Sequence, residues 1–82
     1  MKVILVTGTT SGFGKLIARE LLTRGHRVYG TCLPDFTGDR GAFDFPLLEL
    51  DITDDASVAR CVAELLAVEG RIDVLINNAG VS

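Results

Sequence analysis

Val6-Thr7-Gly8-Thr9-Thr10-Ser11-Gly12-Phe13-Gly14 is a glycine-rich turn whose position, more than its glycines, decides the fold. Before it runs Val3-Ile4-Leu5-Val6, an unbroken apolar stretch of the kind a parallel sheet covers on both faces. After it, Phe13, Ile17 and Leu21 recur every four residues with Leu16 beside them. Ser11 to Arg24 therefore reads as a helix, stopped by Gly25. A strand, a tight turn and a helix in that order aim backbone amides and the positive end of a helix dipole at one spot. Gly8 suits the positive φ of a sharp reversal, Gly12 offers no Cβ to an approaching pyrophosphate, and Gly14 admits close helix–strand packing. The stretch reads as a dinucleotide-binding turn.

Beyond it, Arg27 to Cys32 is a second strand, rich in Val, Tyr and Thr. Pro34, Gly38, Gly41 and Pro46 punctuate the next stretch, which has room for one distorted helical turn at most. Leu47 to Asp51 is the third strand. Thr53 then suits the N-cap of a helix reaching about Glu69, with Asp54 and Asp55 in its first turn. Val58, Cys61, Val62, Leu65 and Leu66 form that helix's apolar face, and Gly70 ends it. Asp73-Val74-Leu75-Ile76-Asn77 is a fourth strand, leaving through Asn78-Ala79-Gly80. Strands alternating with helices imply a doubly wound parallel α/β sheet with right-handed crossovers. The strand order becomes 3-2-1-4, with a helix on each face and ligands at the strands' C-terminal ends.

Eighty-two residues make one small domain. A composition 48% hydrophobic and 23% charged, with net charge −3, has no basic surplus for nucleic acid. No apolar run approaches the ~20 residues of a membrane span. The N-terminus enters a strand directly, without a basic and apolar leader. Cys32 and Cys61 lack the paired spacing of a metal site; one falls on a strand, the other on a helix. Both read as reduced thiols of a cytoplasmic protein.

Three separate pieces coincide: Thr7-Gly8-x-x-x-Gly12-x-Gly14 on the first turn, Asp51 ending the third strand, and Asn77-Asn78-Ala79-Gly80 after the fourth. Together they resemble the N-terminal part of a short-chain dehydrogenase/reductase, over essentially the whole chain. The resemblance implies a partial Rossmann-type sheet from an oxidoreductase that moves hydride between NAD(P) and an alcohol or carbonyl. It implies that Gly8, Thr10, Ser11, Gly12, Phe13 and Gly14 line the pyrophosphate and adenosine ribose. Asp51 would accept from the adenine amino group, with Ile52 beside it. Asn78, Ala79 and Gly80 would border the ribose, while Asn77 ties the central strands together. Read without the resemblance, Asp51 is a plain cap for the following helix.

Family members that prefer NAD usually end strand 2 with an acid, and those that prefer NADP place Arg or Lys there. In this sequence those positions hold Cys32 and Leu33, so neither pattern is met. Asp35 follows two residues later, Arg40 falls in the irregular loop, and Ser11 stands where NADP enzymes often carry arginine. The phrases S-G-F-G, R-G-H-R-V and T-C-L are similar to the retinol, hydroxysteroid and hydroxybutyrate dehydrogenase branch, many of which use NAD. NAD is favoured over NADP.

The family's Tyr-x-x-x-Lys pair is missing. Tyr29 is the single tyrosine, inside strand 2, and the only lysines are Lys2 and Lys15. His26, the single histidine, reads as a solvated turn residue. No catalytic residue is expected among these 82, which leaves a dinucleotide- or AMP-binding half-domain and a structural fragment as alternatives. The fourth strand would expose an apolar edge. Self-association through residues 73–77, or completion by a missing C-terminal part, is expected.

Overall fold

β1 (Val3–Val6) is buried along its whole length because each of its faces is covered. Val3 and Leu5 point to one side, where they pack with Tyr29, Leu50, Cys61 and Leu65. Ile4 and Val6 point to the other, against Ala18, Val28 and Phe45. This two-sided alternation is what a central parallel strand requires. The computed structural model describes residues 1–79.

The remaining elements are α1 (Gly12–Thr23), β2 (Arg27–Cys32), β3 (Leu47–Glu49), α2 (Asp55–Glu69) and β4 (Val74–Ile76). A single 3-10 turn, Arg40–Ala42, interrupts the long β2–β3 connection, as the punctuation of that stretch predicts. All strand pairs are parallel and the order is β3-β2-β1-β4, the arrangement expected from the sequence. α1 covers one face and α2 the other. Cys32 and Cys61 are both buried and free, on β2 and α2.

Two local expectations fail. α1 does not bury Phe13 and Leu16: these residues are 79% and 62% exposed, while Gly14 and Ala18 are buried. Small residues let the helix sit close to the sheet, and Ile17 and Leu21 flank them, so the buried stripe is rotated away from Leu16. Thr53 is not the cap of α2. Asp54 is, its carboxylate accepting from the Ala56 N–H at 3.0 Å. Thr53 instead donates its hydroxyl and its N–H to Asp51.

The far end of α2 is tied to β2 through one carboxylate oxygen. Glu69 Oε2 accepts from Arg27 Nε and Nη2 and from the Tyr29 hydroxyl. Those donors hold the Glu69 carboxyl below the usual carboxylate range, while the bond to Glu69, with burial, pushes the Tyr29 phenol up. At the opposite side of the sheet β4 has one open edge among the described residues. Leu75 is 60% exposed there, beside an apolar groove of about 270 Å³ lined by Leu5, Leu50, Val58, Cys61 and Val62. Among the described residues no helix is long and apolar enough to cross a membrane.

Candidate functional site

Because the four strands run parallel, their C-terminal ends line one edge of the sheet. Gly8 follows β1, Leu33 follows β2, Asp51 and Ile52 lie just past β3, and Asn78 and Ala79 follow β4. The residues singled out in the sequence thus gather on one rim. Gly80 lies outside the described residues.

The turn after β1 has the backbone its glycines suggest. Gly8 and Gly12 take φ of 68° and 62°, a region where other residues are strained. A Cβ on Gly12 would meet nothing within 4 Å, so the space over the turn is open. On Gly14 it would fall 2.2 Å from the Gly8 carbonyl oxygen and 2.5 Å from Asn78 Nδ2. Gly12 leaves room for an incoming group; Gly14 brings α1 against the turn.

The two helix starts differ. α2 is closed by Asp54 and carries Asp55 in its first turn. α1 begins at an extended Ser11 that makes no capping side-chain bond, and its first turn holds no acid. Its leading amides are therefore left for an external acceptor, and with the dipole behind them they suit a phosphate. Thr10 is half-buried, while Ser11 and Phe13 border the mouth in the open.

Three buried threonines frame this turn. Thr7 Oγ1 accepts from the Asn78 and Ala79 N–H groups, each at 2.9 Å, and donates to Asn77 Oδ1 at 3.2 Å. Asn78 Nδ2 donates to the Gly8 carbonyl at 3.1 Å. Thr31 Oγ1 accepts from the Gly8 N–H at 2.9 Å, and Thr9 pairs with the Thr31 main chain. Reading the sequence missed Thr9 and Thr31. The available signal was Gly30, a glycine inside a β-branched strand, which marks a close approach.

At the third strand's end, Asp51 Oδ1 accepts from Thr53 Oγ1 at 2.6 Å and Thr53 N at 2.9 Å. Those bonds hold its carboxyl below the ordinary range, so it is an ionised acceptor at neutral pH. Asp51 is not the cap of α2, since Asp54 has that place. Its own N–H donates to the buried Ser57 hydroxyl at 2.9 Å. Near the end of β2, burial pushes the Cys32 thiol up, while the next residue, Leu33, is 56% exposed. Arg40 reaches back toward that corner, donating to Glu49 at 2.8 Å and to the Pro34 carbonyl at 3.4 Å.

The family model for short chain dehydrogenase matches residues 2–82. This chain belongs to that family. The family's oxidoreductases use NAD or NADP. The 3-ketodihydrosphingosine reductase of Bacteroides thetaiotaomicron is 42% identical over 79 residues, covering 96% of this chain and 28% of that enzyme. Human retinol dehydrogenase 12 is 37% identical over 89 residues, covering 98% and 28%. The ligand-free aldohexose dehydrogenase of Thermoplasma acidophilum superposes with a TM-score of 0.84 at 32% identity, covering 96% and 29%. The chain thus spans less than a third of each of them.

Proposed function

We propose that this chain is the N-terminal, dinucleotide-binding part of an oxidoreductase that moves hydride between a nicotinamide coenzyme and an alcohol or carbonyl. The observation that carries this reading is the uncapped mouth of α1 beneath the open space at Gly12. Amides of Gly12, Phe13 and Gly14 hold the diphosphate, with Gly8, Thr10 and Ser11 shaping the turn. Asp51 accepts from the adenine amino group, Ile52 lies beside the ring, Cys32 and Leu33 border the adenosine ribose, and Asn78, Ala79 and Gly80 line the ribose side. The bound coenzyme supplies the hydride chemistry; these residues bind and orient it. The relatives' names span a sphingoid ketone, a retinol and a sugar, so the substrate is taken no further than alcohol or carbonyl.

NAD is the favoured coenzyme. Arg40, the cation nearest the β2 corner in this loop, is already neutralised by Glu49, and Asp35 and Asp39 add negative charge that opposes a 2′-phosphate. Calorimetric titration tests this: NAD is expected to bind at least about threefold tighter than NADP, and Gly12→Val to abolish both. The reverse preference would remove the NAD reading, and equal binding by Gly12→Val would remove the site. With secondary alcohols the same sample is expected to show no coenzyme reduction, because Tyr29 is committed to Glu69 and no lysine follows it by four.

The open edge of β4 takes further polypeptide, either a second copy of the chain or the rest of a family domain. Sedimentation of the 82-residue chain is expected to show concentration-dependent dimers or larger species that Leu75→Asp weakens. A wild-type chain that stays monomeric at high concentration counts against it. The cytoplasm, a reducing compartment, suits two buried free cysteines.

A further inference from the structure

Past the end of β1, the ladder between β1 and β2 is continued by Thr9, whose hydroxyl acts beside its backbone N–H. The Thr9 N–H donates to the Thr31 carbonyl at 3.2 Å, and the Thr9 hydroxyl donates to the same oxygen at 3.1 Å. That hydroxyl also accepts from the Thr31 N–H at 3.0 Å. Thr31 therefore gives both main-chain groups to Thr9, while its own hydroxyl receives the Gly8 N–H. Gly30 makes the room: a Cβ there would lie 2.1 Å from Thr9 Oγ1. Thr9 is 0% exposed, so water is shut out and the Thr31 N–H depends on this hydroxyl.

We infer that Thr9 is a positioning residue for the coenzyme diphosphate. Its hydroxyl sets the height of the 8–12 turn over the sheet, and so the aim of the α1 amides, without itself touching ligand. This rests on the coenzyme reading above. The adenine corner hangs from other bonds, those joining Asp51 to Thr53 and Ser57. An effect confined to the diphosphate is thus separable from general loss of structure.

The test is titration of ADP and of adenosine into the 82-residue chain, followed by amide chemical shifts. Thr9→Val keeps shape and removes the hydroxyl; it is expected to weaken ADP at least about tenfold and adenosine less than about twofold. Thr9→Ser restores the hydroxyl and is expected to stay within about threefold of wild type for ADP. Unchanged ADP affinity in Thr9→Val, equal loss for both ligands, or a Thr9→Ser as weak as Thr9→Val overturns the role. Should Thr9→Val fail to fold, Thr9→Ser decides: retained ADP affinity supports the role, a tenfold loss ends it. A wild-type chain that binds neither ADP nor NAD overturns the coenzyme reading and this inference with it, whereas binding indifferent to Thr9 overturns the inference alone.

Discussion

Gly14→Ala is expected to abolish coenzyme binding and to destabilise the chain, although alanine is the better helix former. Helix propensity favours the substitution by about 1 kcal/mol. Packing opposes it more strongly. The new methyl would sit 2.2 Å from the Gly8 carbonyl oxygen, a backbone atom that cannot rotate aside, and 2.5 Å from Asn78 Nδ2. α1 must move off the turn, which costs about 1–3 kcal/mol for overpacking. The Asn78-to-Gly8 hydrogen bond goes with it, removing about 1 kcal/mol more. The shift also turns the leading amides of α1 away from the point where Gly12 opens. Urea unfolding is expected to show a lower midpoint, and titration with ADP or NAD no heat. A Gly14→Ala chain that folds and binds normally would mean that α1 does not rest on this turn.

Much of this arrangement was written locally in the sequence. The apolar run of β1, the glycine spacing and the alternation of elements each depend on near neighbours, and they give the sheet order and the rim on which Gly8, Asp51 and Asn78 meet. What was not legible depends on partners far along the chain. Thr9 and Thr31 are 22 residues apart, and although Gly30 marks a close approach, nothing near either says which residue will serve as the other's ladder partner. Phe13 fits a four-residue apolar repeat with Leu16 beside it, yet the sheet selects Gly14 and Ala18, because close approach outweighs bulk where α1 begins. Thr53 and Asp54 are both good caps by residue type. Asp51 decides between them by taking the Thr53 hydroxyl, a choice made by the turn's geometry.

Thr7→Val is expected to have the other large effect, through a single oxygen. Thr7 is 3% exposed and its hydroxyl serves three partners at once, all on the chain leaving β4. Valine fills the same space and supplies none of these bonds. The Asn78 N–H retains the Ile76 carbonyl at 3.2 Å, but the Ala79 N–H and Asn77 Oδ1 lose the bonds that pin them. Asn77 is exposed and Ala79 half-buried, so water replaces part of what is lost and each bond removed costs about 0.5–1.5 kcal/mol, still a sizeable part of the ~5–15 kcal/mol that holds an ordinary domain. Thr7→Ser keeps the oxygen and loses only a methyl, so it is expected to unfold within about 1 kcal/mol of wild type. The contrast between the two variants separates hydrogen bonding from volume. Hydrogen exchange locates it: the Leu75 and Ile76 amides of Thr7→Val are expected to exchange faster than those of β2, because among the described residues β4 has β1 alone for a sheet partner. If both strands lose protection equally, the hydroxyl supports the whole sheet; if neither does, the three bonds do not hold β4's exit in place.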